Sequence, residues 1–282
     1  MRRIALITLI VLAGLATMAY PTISNHLTLR HGSAAIQAYA ATVAEMDEAA
    51  LAAAWEAAEQ YNQSLTGSPV HDPFLPGSGM AMADDYRQVL DFDGIMGYLD
   101  IPRIGVYLPI YHGTGDAVLQ VGVGHLEGST LPIGGTTRHT VLSGHTGLSH
   151  AKLLTDLVEL AEGDQFYLHV LGRILAYAVD QITVVEPQDT AGLRRFEGKD
   201  YATLLTCTPY GVNSHRLLVR GERVEYRPEV REAVVPVSGS TTEAMARRAA
   251  AWTAGAMACL IVAVAILQRR RDRRLDARRS PR

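Results

Sequence analysis

From about Asp93 onward the sequence consists of short β-like runs separated by Gly and Pro turns, and this pattern limits the folds open to the chain. Leu171-Gly172-Arg173 has the composition of a tight hairpin turn between two such runs. A short helix is predicted over about 151–157. The predicted strands are Gly97–Ile101, Thr140–Leu142, Gln165–Val170, Ile174–Val179, Thr183–Val185, Thr203–Thr206, Leu217–Arg220 and Arg223–Tyr226. Many short strands with one or two helices predict a mainly β fold, a closed barrel or a sandwich, because closure removes exposed strand edges.

The region before the strands divides into a helical part and an irregular part. From Ser33, a possible helix cap, to Asn62, apolar residues recur every three or four positions in an Ala-rich segment, which predicts one helix or two. Residues 67–79 then read GSPVHDPFLPGSG, a composition that permits no regular element. The simplest interpretation is a linker, although an aromatic residue such as Phe74 more often docks on another surface.

Two apolar runs flank this region. One spans Ile4 to Tyr20 after two arginines, and the other spans about 249–267 before a cationic stop. Each is close to the ~20 residues that cross a bilayer, so we predict two flanking transmembrane helices, although the first run also fits a signal peptide. Because arginine concentrates on the cytoplasmic side, both termini are predicted inside the cell and residues ~25–245 outside.

The net charge of −3 is distributed unevenly along the chain. Residues 269–282 hold eight Arg and two Asp, about +6, and Arg2 with Arg3 add +2, so the remainder sums to −3 − 6 − 2 = −11. Phosphate binding needs a basic surface, so nucleic acid is not an expected partner. No HExxH motif or zinc-type Cys/His spacing occurs, and no metal or cofactor is predicted.

The sequence has two cysteines, Cys207 and Cys259, and the second lies inside the C-terminal apolar run, so no disulfide framework is predicted. Composition alone favours a buried structural role for Cys207. Its position also fits an active site, because a strand-like run ends at Cys207 and another begins after Arg216. A strand–loop–strand of this length can place both residues at one rim of a sheet, where a guanidinium can stabilise a thiolate or an oxyanion.

A cysteine nucleophile also needs a histidine that exchanges protons with the thiol and the leaving amine. His145 lies in Ser-Gly-His-Thr-Gly, where a strand-like run enters a Gly-flanked loop. His125, in Gly-Val-Gly-His-Leu-Glu-Gly, is its closest rival. His139, His150 and His169 fit surfaces or strand edges.

Several motifs resemble those of a known family. TLLTC followed by Arg216 resembles the sortase signature TLxTC with its downstream Arg, and SGHTG resembles the loop that holds the sortase His. The runs GYLDIPRIGVYLPIYHGT, VGVGHLEGSTLPIGG and CTPYGVNSHRLLVRG are similar to the pilin-polymerising class C sortases. The similarity covers about residues 70–226, together with the two-span layout.

The resemblance implies a closed eight-stranded sortase β-barrel in which Cys207 attacks, His145 handles the proton and Arg216 stabilises the thiolate or the oxyanion. It also implies an LPXTG-like sorting signal, cut between Thr and Gly, and transfer of the acyl group to a Lys amine of a pilin subunit. Asp72-Pro73-Phe74 resembles the class C lid that occupies the catalytic groove, so a lid replaces the linker interpretation of this segment.

The predicted organisation has seven parts. They are an N-terminal anchor or signal (1–24), a helical region (25–66), a lid and linker (67–92), the catalytic barrel (93–232), a juxtamembrane linker (233–248), a transmembrane helix (249–268) and a basic cytoplasmic tail (269–282). Three alternative functions stay open. They are a sortase that anchors surface proteins to cell-wall peptide, a hydrolytic cysteine protease, and a non-enzymatic adhesion or sensor domain with an incidental Cys.

Overall fold

The computed structural model describes residues 2–65, 70–75, 82–148 and 151–234, together with Gly255. Residues 21–237 form one compact unit, and residues 1–20 with 238–282 are grouped in a second. Within the described part of the chain, no helix is long and apolar enough to cross a membrane, so the predicted N-terminal span gains no support. The predicted second span, apart from Gly255, and the basic tail lie outside the described residues. So does the predicted linker before them, apart from residues 233–234.

The described residues form helices mainly before the barrel and strands within it. The α-helices are α1 (Arg2–Glu45), α2 (Glu48–Ser64), α3 (Asp84–Gln88), α4 (Asp116–Leu119) and α5 (Pro228–Ala233). The strands are β1 (Ile95–Ile101), β2 (Val106–His112), β3 (Val123–His125), β4 (Arg138–Ser143), β5 (Gln165–Val170), β6 (Arg173–Val185), β7 (Asp200–Thr208) and β8 (His215–Val224). Three short 3-10 helices cover Pro102–Ile104, Thr155–Glu159 and Ala191–Leu193.

The strands close into a barrel in the order β1-β2-β3-β4-β7-β8-β6-β5, in which β1 also pairs with β5. The pairs β2–β3 and β4–β7 are parallel, and the other neighbours are antiparallel. The predicted closed eight-stranded barrel is therefore confirmed, and the sandwich alternative is wrong.

The residues of the turn explain why the sequence predicts the β5–β6 hairpin correctly. Leu171 and Gly172 both have positive φ, 47° and 73°, as the tight turn between β5 and β6 requires. Ile174–Val179 and Thr183–Val185, predicted as two strands, belong to the single strand β6. A register irregularity between Val179 and Gln181 lets the ladder continue past the polar residues that separate the two apolar runs.

The helix predicted over residues 33–62 is two helices that break at residues 46–47. Asp47 caps α2 by accepting a hydrogen bond from the Ala50 amide at 2.7 Å. Ser33 does not cap a helix, because it lies well inside α1. Near residues 151–157 the expected α-helix is instead the 3-10 helix Thr155–Glu159.

The adjacent strands β4, β7 and β8 carry a separate apolar cluster on each of their two faces. On one face, Leu142, Leu204 and Val219 belong to the main core of the barrel. The other face carries a second apolar cluster, which we call the groove cluster. Its buried members are Leu126, Val141, Leu193, Leu205 and Leu218.

Candidate active site

The strand register brings the three predicted catalytic side chains into one row across the sheet. Cys207 in β7 pairs directly with Arg216 in β8. Ser143, the last residue of β4, pairs with Leu205 in β7, and this parallel register leads to His145 and Cys207, each two residues further along the chain. Since paired residues point to the same face of a sheet, the imidazole, thiol and guanidinium share the face of the groove cluster.

The position of His145 is reinforced by bonds between its loop and β7. The Gly144 amide donates to the Leu205 carbonyl at 3.1 Å, and the Thr206 hydroxyl donates to the Gly144 carbonyl at 2.7 Å. The His145 carbonyl accepts from the Leu154 amide at 3.2 Å. These bonds hold the residue immediately before His145 against the strand that carries Cys207.

Cys207 is only 8% exposed, and its surroundings act on the pKa of its thiol in opposite directions. Burial, the largest cause, raises the pKa of Cys207, Arg216 lowers it, and Asp72 raises it. The net effect is a raised pKa, which favours the neutral thiol in this arrangement. Displacement of the predicted lid would reduce the burial of the thiol, which would lower its pKa and favour the thiolate.

Arg216 is held beside the thiol by contacts on several sides. Its Nη1 donates to the carbonyls of Asn213 at 3.2 Å and His215 at 3.1 Å. Its Nε lies 2.7 Å from Oδ2 of Asp72, and both side chains are almost fully buried. This buried ion pair joins the barrel to the segment predicted as a lid.

The predicted lid residues lie over the catalytic row. Oδ1 of Asp72 accepts from the Phe74 amide at 2.8 Å, which forms a compact turn around the buried Pro73. The Phe74 ring lies 5.3 Å from the His145 ring between centroids, and the Arg216 guanidinium carbon lies 5.2 Å from the Phe74 centroid. Phe74 and Val70 also pack against the groove cluster. The segment 70–75 therefore contacts His145 and Arg216, and its Asp72 acts electrostatically on Cys207.

The rival histidine, His125, lies elsewhere and has a structural environment. It pairs with Leu142, whose side chain faces the main core. Its ring contacts the Tyr86 hydroxyl and the Thr130 carbonyl, both at 2.9 Å, and burial lowers its pKa to about 4. His125 is therefore remote from the face that holds Cys207.

The prediction of an exposed or edge position for His139 is wrong. His139 is fully buried because the β6–β7 loop folds over it. One ring nitrogen lies 2.6 Å from the Arg194 carbonyl of that loop, and the other lies 2.7 Å from the Thr203 hydroxyl. Sequence reasoning missed this role because the loop contact is more than fifty residues away along the chain.

Among the described residues, no group of three or more His, Cys, Asp or Glu side chains is arranged to hold a metal ion. A thiol beside a base and a fixed cation, on the rim of a closed barrel, has the groups required for cysteine-dependent acyl transfer.

Comparisons with known proteins agree with this class of site. A family model described as "Sortase domain" matches residues 99–224. Sortase C-1 from Streptococcus pneumoniae is 44% identical, with a TM-score of 0.66, and the match covers 68% of this chain and 98% of that one. Sortase C-1 from Actinomyces oris is 49% identical, with a TM-score of 0.60, and the match covers 62% of this chain and 99% of that one.

A curated relative, Sortase A of Bacillus anthracis, is 29% identical over 143 residues, which is 51% of this chain and 66% of that protein. The matched region spans 52% to 66% of the length of the curated relatives. The chain belongs to the sortase family. The prediction of a sortase transpeptidase is therefore confirmed, and the chain's similarity to these sortases C-1 supports the predicted class C.

Proposed function

We propose that this chain is a pilin-polymerising class C sortase that cleaves an LPXTG-like signal and joins the product to a lysine amine. The observation that carries this proposal is the single row of His145, Cys207 and Arg216 under the segment 70–75. The matches to class C sortases over almost the whole length of those chains support the same assignment.

The proposed reaction begins when Cys207 gives its thiol proton to His145 and its sulfur attacks the carbonyl carbon of the signal's Thr. Negative charge develops on the carbonyl oxygen, and the Arg216 guanidinium stabilises it. The C–N bond to Gly then breaks, and His145 donates a proton to the leaving amine. The product is a thioester between Cys207 and the Thr acyl group.

The second half of the reaction reverses these roles. A neutral lysine amine attacks the thioester carbon, His145 accepts the proton that the amine loses, and the Cys207 thiolate leaves. Water at ~55 M competes with the amine, so the enzyme must favour the amine by positioning. A cover that is displaced only when substrate binds limits the time during which thiol and thioester face water.

The direct test is incubation of the full-length chain with an LPXTG-type peptide and a lysine-bearing pilin. We expect an acyl-enzyme whose mass places the Thr acyl group on Cys207, followed by an amide bond to the pilin lysine. Cys207→Ala is the matched control and should form neither species. The proposal would be contradicted if no Cys207-dependent acyl-enzyme formed, even with the Asp72→Ala and Phe74→Ala substitutions that should open the groove.

Acceptor competition separates this function from its alternatives. A sortase that anchors surface proteins prefers a cell-wall peptide amine over the pilin lysine when both are supplied. A hydrolytic protease releases free acid at the same rate with and without amine. The buried contact of Asp72 with Arg216 favours the pilin-polymerising assignment, because a DPF lid is the feature that resembles class C.

We also propose that the barrel works at the cell surface, where a sorting signal and a pilin lysine would meet. The support is the arginine distribution along the sequence, which favours an outside location for the acidic central region. Protease added to intact cells should then digest the barrel. Complete protection of the barrel in intact cells would contradict this location.

A further inference from the structure

The hydroxyl of Ser143 is buried without a hydrogen-bond partner among the residues that the structure describes. Ser143 is 0% exposed and lies in the strand that leads to His145. An unpaired buried hydroxyl destabilises a folded protein, whereas alanine at the same position does not carry that cost. The resting structure therefore gives this hydroxyl no stabilising role.

Ser143 lies on the face of the sheet that carries the catalytic row. Its partner in β7 is Leu205, a member of the groove cluster, and Leu205 in turn pairs with Leu218 of that cluster. Two residues further along each strand, on the same face, come His145 and Cys207. The spacing is about 6.6 Å along the strand, or two residues of an extended peptide.

The neighbouring strands occupy two sides of Ser143. On the β3 side it pairs with Gly124, where a Cβ atom would lie 2.1 Å from the Gly113 carbonyl oxygen, so backbone fills that space. On the β7 side is Leu205. Leu205 belongs to the groove cluster, against which Val70 and Phe74 of segment 70–75 pack.

We propose that Ser143 is a substrate-positioning residue whose hydroxyl binds a main-chain peptide group of the sorting signal once segment 70–75 is displaced. This inference rests on the proposed function and identifies how the same groove holds its substrate. A peptide that enters an apolar groove loses water from its amides and carbonyls, and each needs a new partner. Ser143, two residues before His145 along the chain, supplies one such partner.

The test uses full-length enzyme in the Asp72→Ala/Phe74→Ala background, so that groove access is the same in every variant. Ser143→Ala is expected to lower kcat/KM for an LPXTG-type peptide by about fivefold, the loss of one neutral hydrogen bond. Peptides in which single amide groups are replaced by esters locate the partner. One replacement should lower kcat/KM with Ser143 present and have no further effect in Ser143→Ala.

The matched control is Thr140→Val in the same strand. The Thr140 hydroxyl is also buried, but it already donates to the Thr130 carbonyl at 2.8 Å on the other face. Thr140→Val should lower Tm and leave kcat/KM within about twofold, whereas Ser143→Ala in the wild-type background should raise Tm.

The outcomes distinguish this inference from the proposed function. If the double-variant background forms no acyl-enzyme with the peptide, the proposed function fails. If the background turns over and Ser143→Ala matches it, or if every ester costs the same in both enzymes, the inference about Ser143 is overturned. A joint fall of kcat/KM and Tm in Ser143→Ala would show a purely structural residue and would also overturn it.

Discussion

At the scale of single residues, the structure describes Cys207 in a protected state. Burial and the carboxylate of Asp72 raise the pKa of its thiol, while Arg216 opposes them. The same carboxylate lies 2.7 Å from Arg216 and so offsets part of the positive charge that would favour a thiolate. Asp72 therefore both joins the segment 70–75 to Arg216 and reduces the ionisation of the nucleophile.

Asp72→Asn should lower the pKa of Cys207. The substitution removes a negative charge near the thiolate and keeps the size of the side chain, so the pH at which alkylation is half-maximal should fall. At pH 7 we expect alkylation of Cys207 to be about threefold faster or more, because the thiolate is the reactive form. The measurement is the rate of reaction with iodoacetamide between pH 5 and 10.

Asp84→Asn is the control for the change in net charge, because Asp84 is exposed in α3. Its profile should match that of the wild type. An alkylation midpoint that is unchanged or higher in Asp72→Asn would contradict the assigned effect of Asp72.

The residues of the site differ in how far the sequence predicts them. Cys207, His145 and Arg216 each lie at or beyond the end of a strand-like run, so their proximity follows from which strands are neighbours. The Thr206 bond to Gly144 and the unpaired Ser143 hydroxyl depend on register and side-chain packing. No local pattern in the sequence encodes those contacts, and only the folded sheet reveals them.

At the scale of elements, the segment 70–75 is held by its own contacts and by bonds on both of its flanks. Before it, the Leu65 carbonyl accepts from Nη2 of Arg195 at 3.0 Å. After it, the Ala83 amide donates to Oε1 of Glu127 at 3.0 Å. Arg195 belongs to the β6–β7 loop, which also supplies Leu193 to the groove cluster. We therefore expect displacement of the segment to affect the loop that lines the groove.

Phe74→Ala should increase cleavage of an LPXTG-type peptide. The half-buried ring packs on the groove cluster and on His145, and losing about 1.4 kcal/mol of this packing raises the open population about tenfold. The measurement is kcat/KM. Leu75→Ala removes a neighbouring apolar side chain that is 38% exposed and should change kcat/KM little. Equal or lower activity in Phe74→Ala would argue against an inhibitory cover.

Arg195→Ala should also open the segment, by releasing the bond to Leu65. We expect Cys207 alkylation at pH 7 to accelerate about threefold, the effect of one hydrogen bond on the open population. Arg194→Ala makes the same charge change one residue earlier. The Arg194 side chain lies over the Phe196 ring, 5.0 Å from its centroid, and not on Leu65. If both variants react at the same rate, the flanking bond does not restrain the segment.

The strands that sequence reasoning missed are β2 and β3. Val106–His112 contains Pro109, which usually argues against a strand, and Val123–His125 is only three residues long. Barrel closure stabilises both, because each has ladder partners on its two sides. Their presence is a tertiary effect, whereas the β5–β6 hairpin follows from its own turn residues.

At the scale of the whole molecule, two buried histidines link barrel stability to pH. Burial lowers the pKa of His125 and of His139 to about 4. In the unfolded chain a histidine titrates near its ordinary value of ~6.5. Between these values the unfolded chain binds more protons than the folded barrel, so stability rises with pH in that window.

The barrel should therefore lose stability as pH falls from about 6.5 to about 4, by roughly 3 kcal/mol for each of these two histidines. Urea denaturation at a series of pH values measures the slope of unfolding free energy against pH. In His139→Asn one titrating group is removed, so the slope in this window should fall by about 1.4 kcal/mol per pH unit.

His31→Asn is the matched control, since His31 is exposed in α1, and it should leave the slope unchanged. The barrel-wide character of the effect follows from where His139 acts. Its ring bridges β7, through Thr203, to the β6–β7 loop, through Arg194, and that loop also holds Leu193 in the groove cluster. Protonation of His139 should then loosen the groove together with the barrel. A slope in His139→Asn equal to that of the wild type would show that this histidine is not held neutral by the fold.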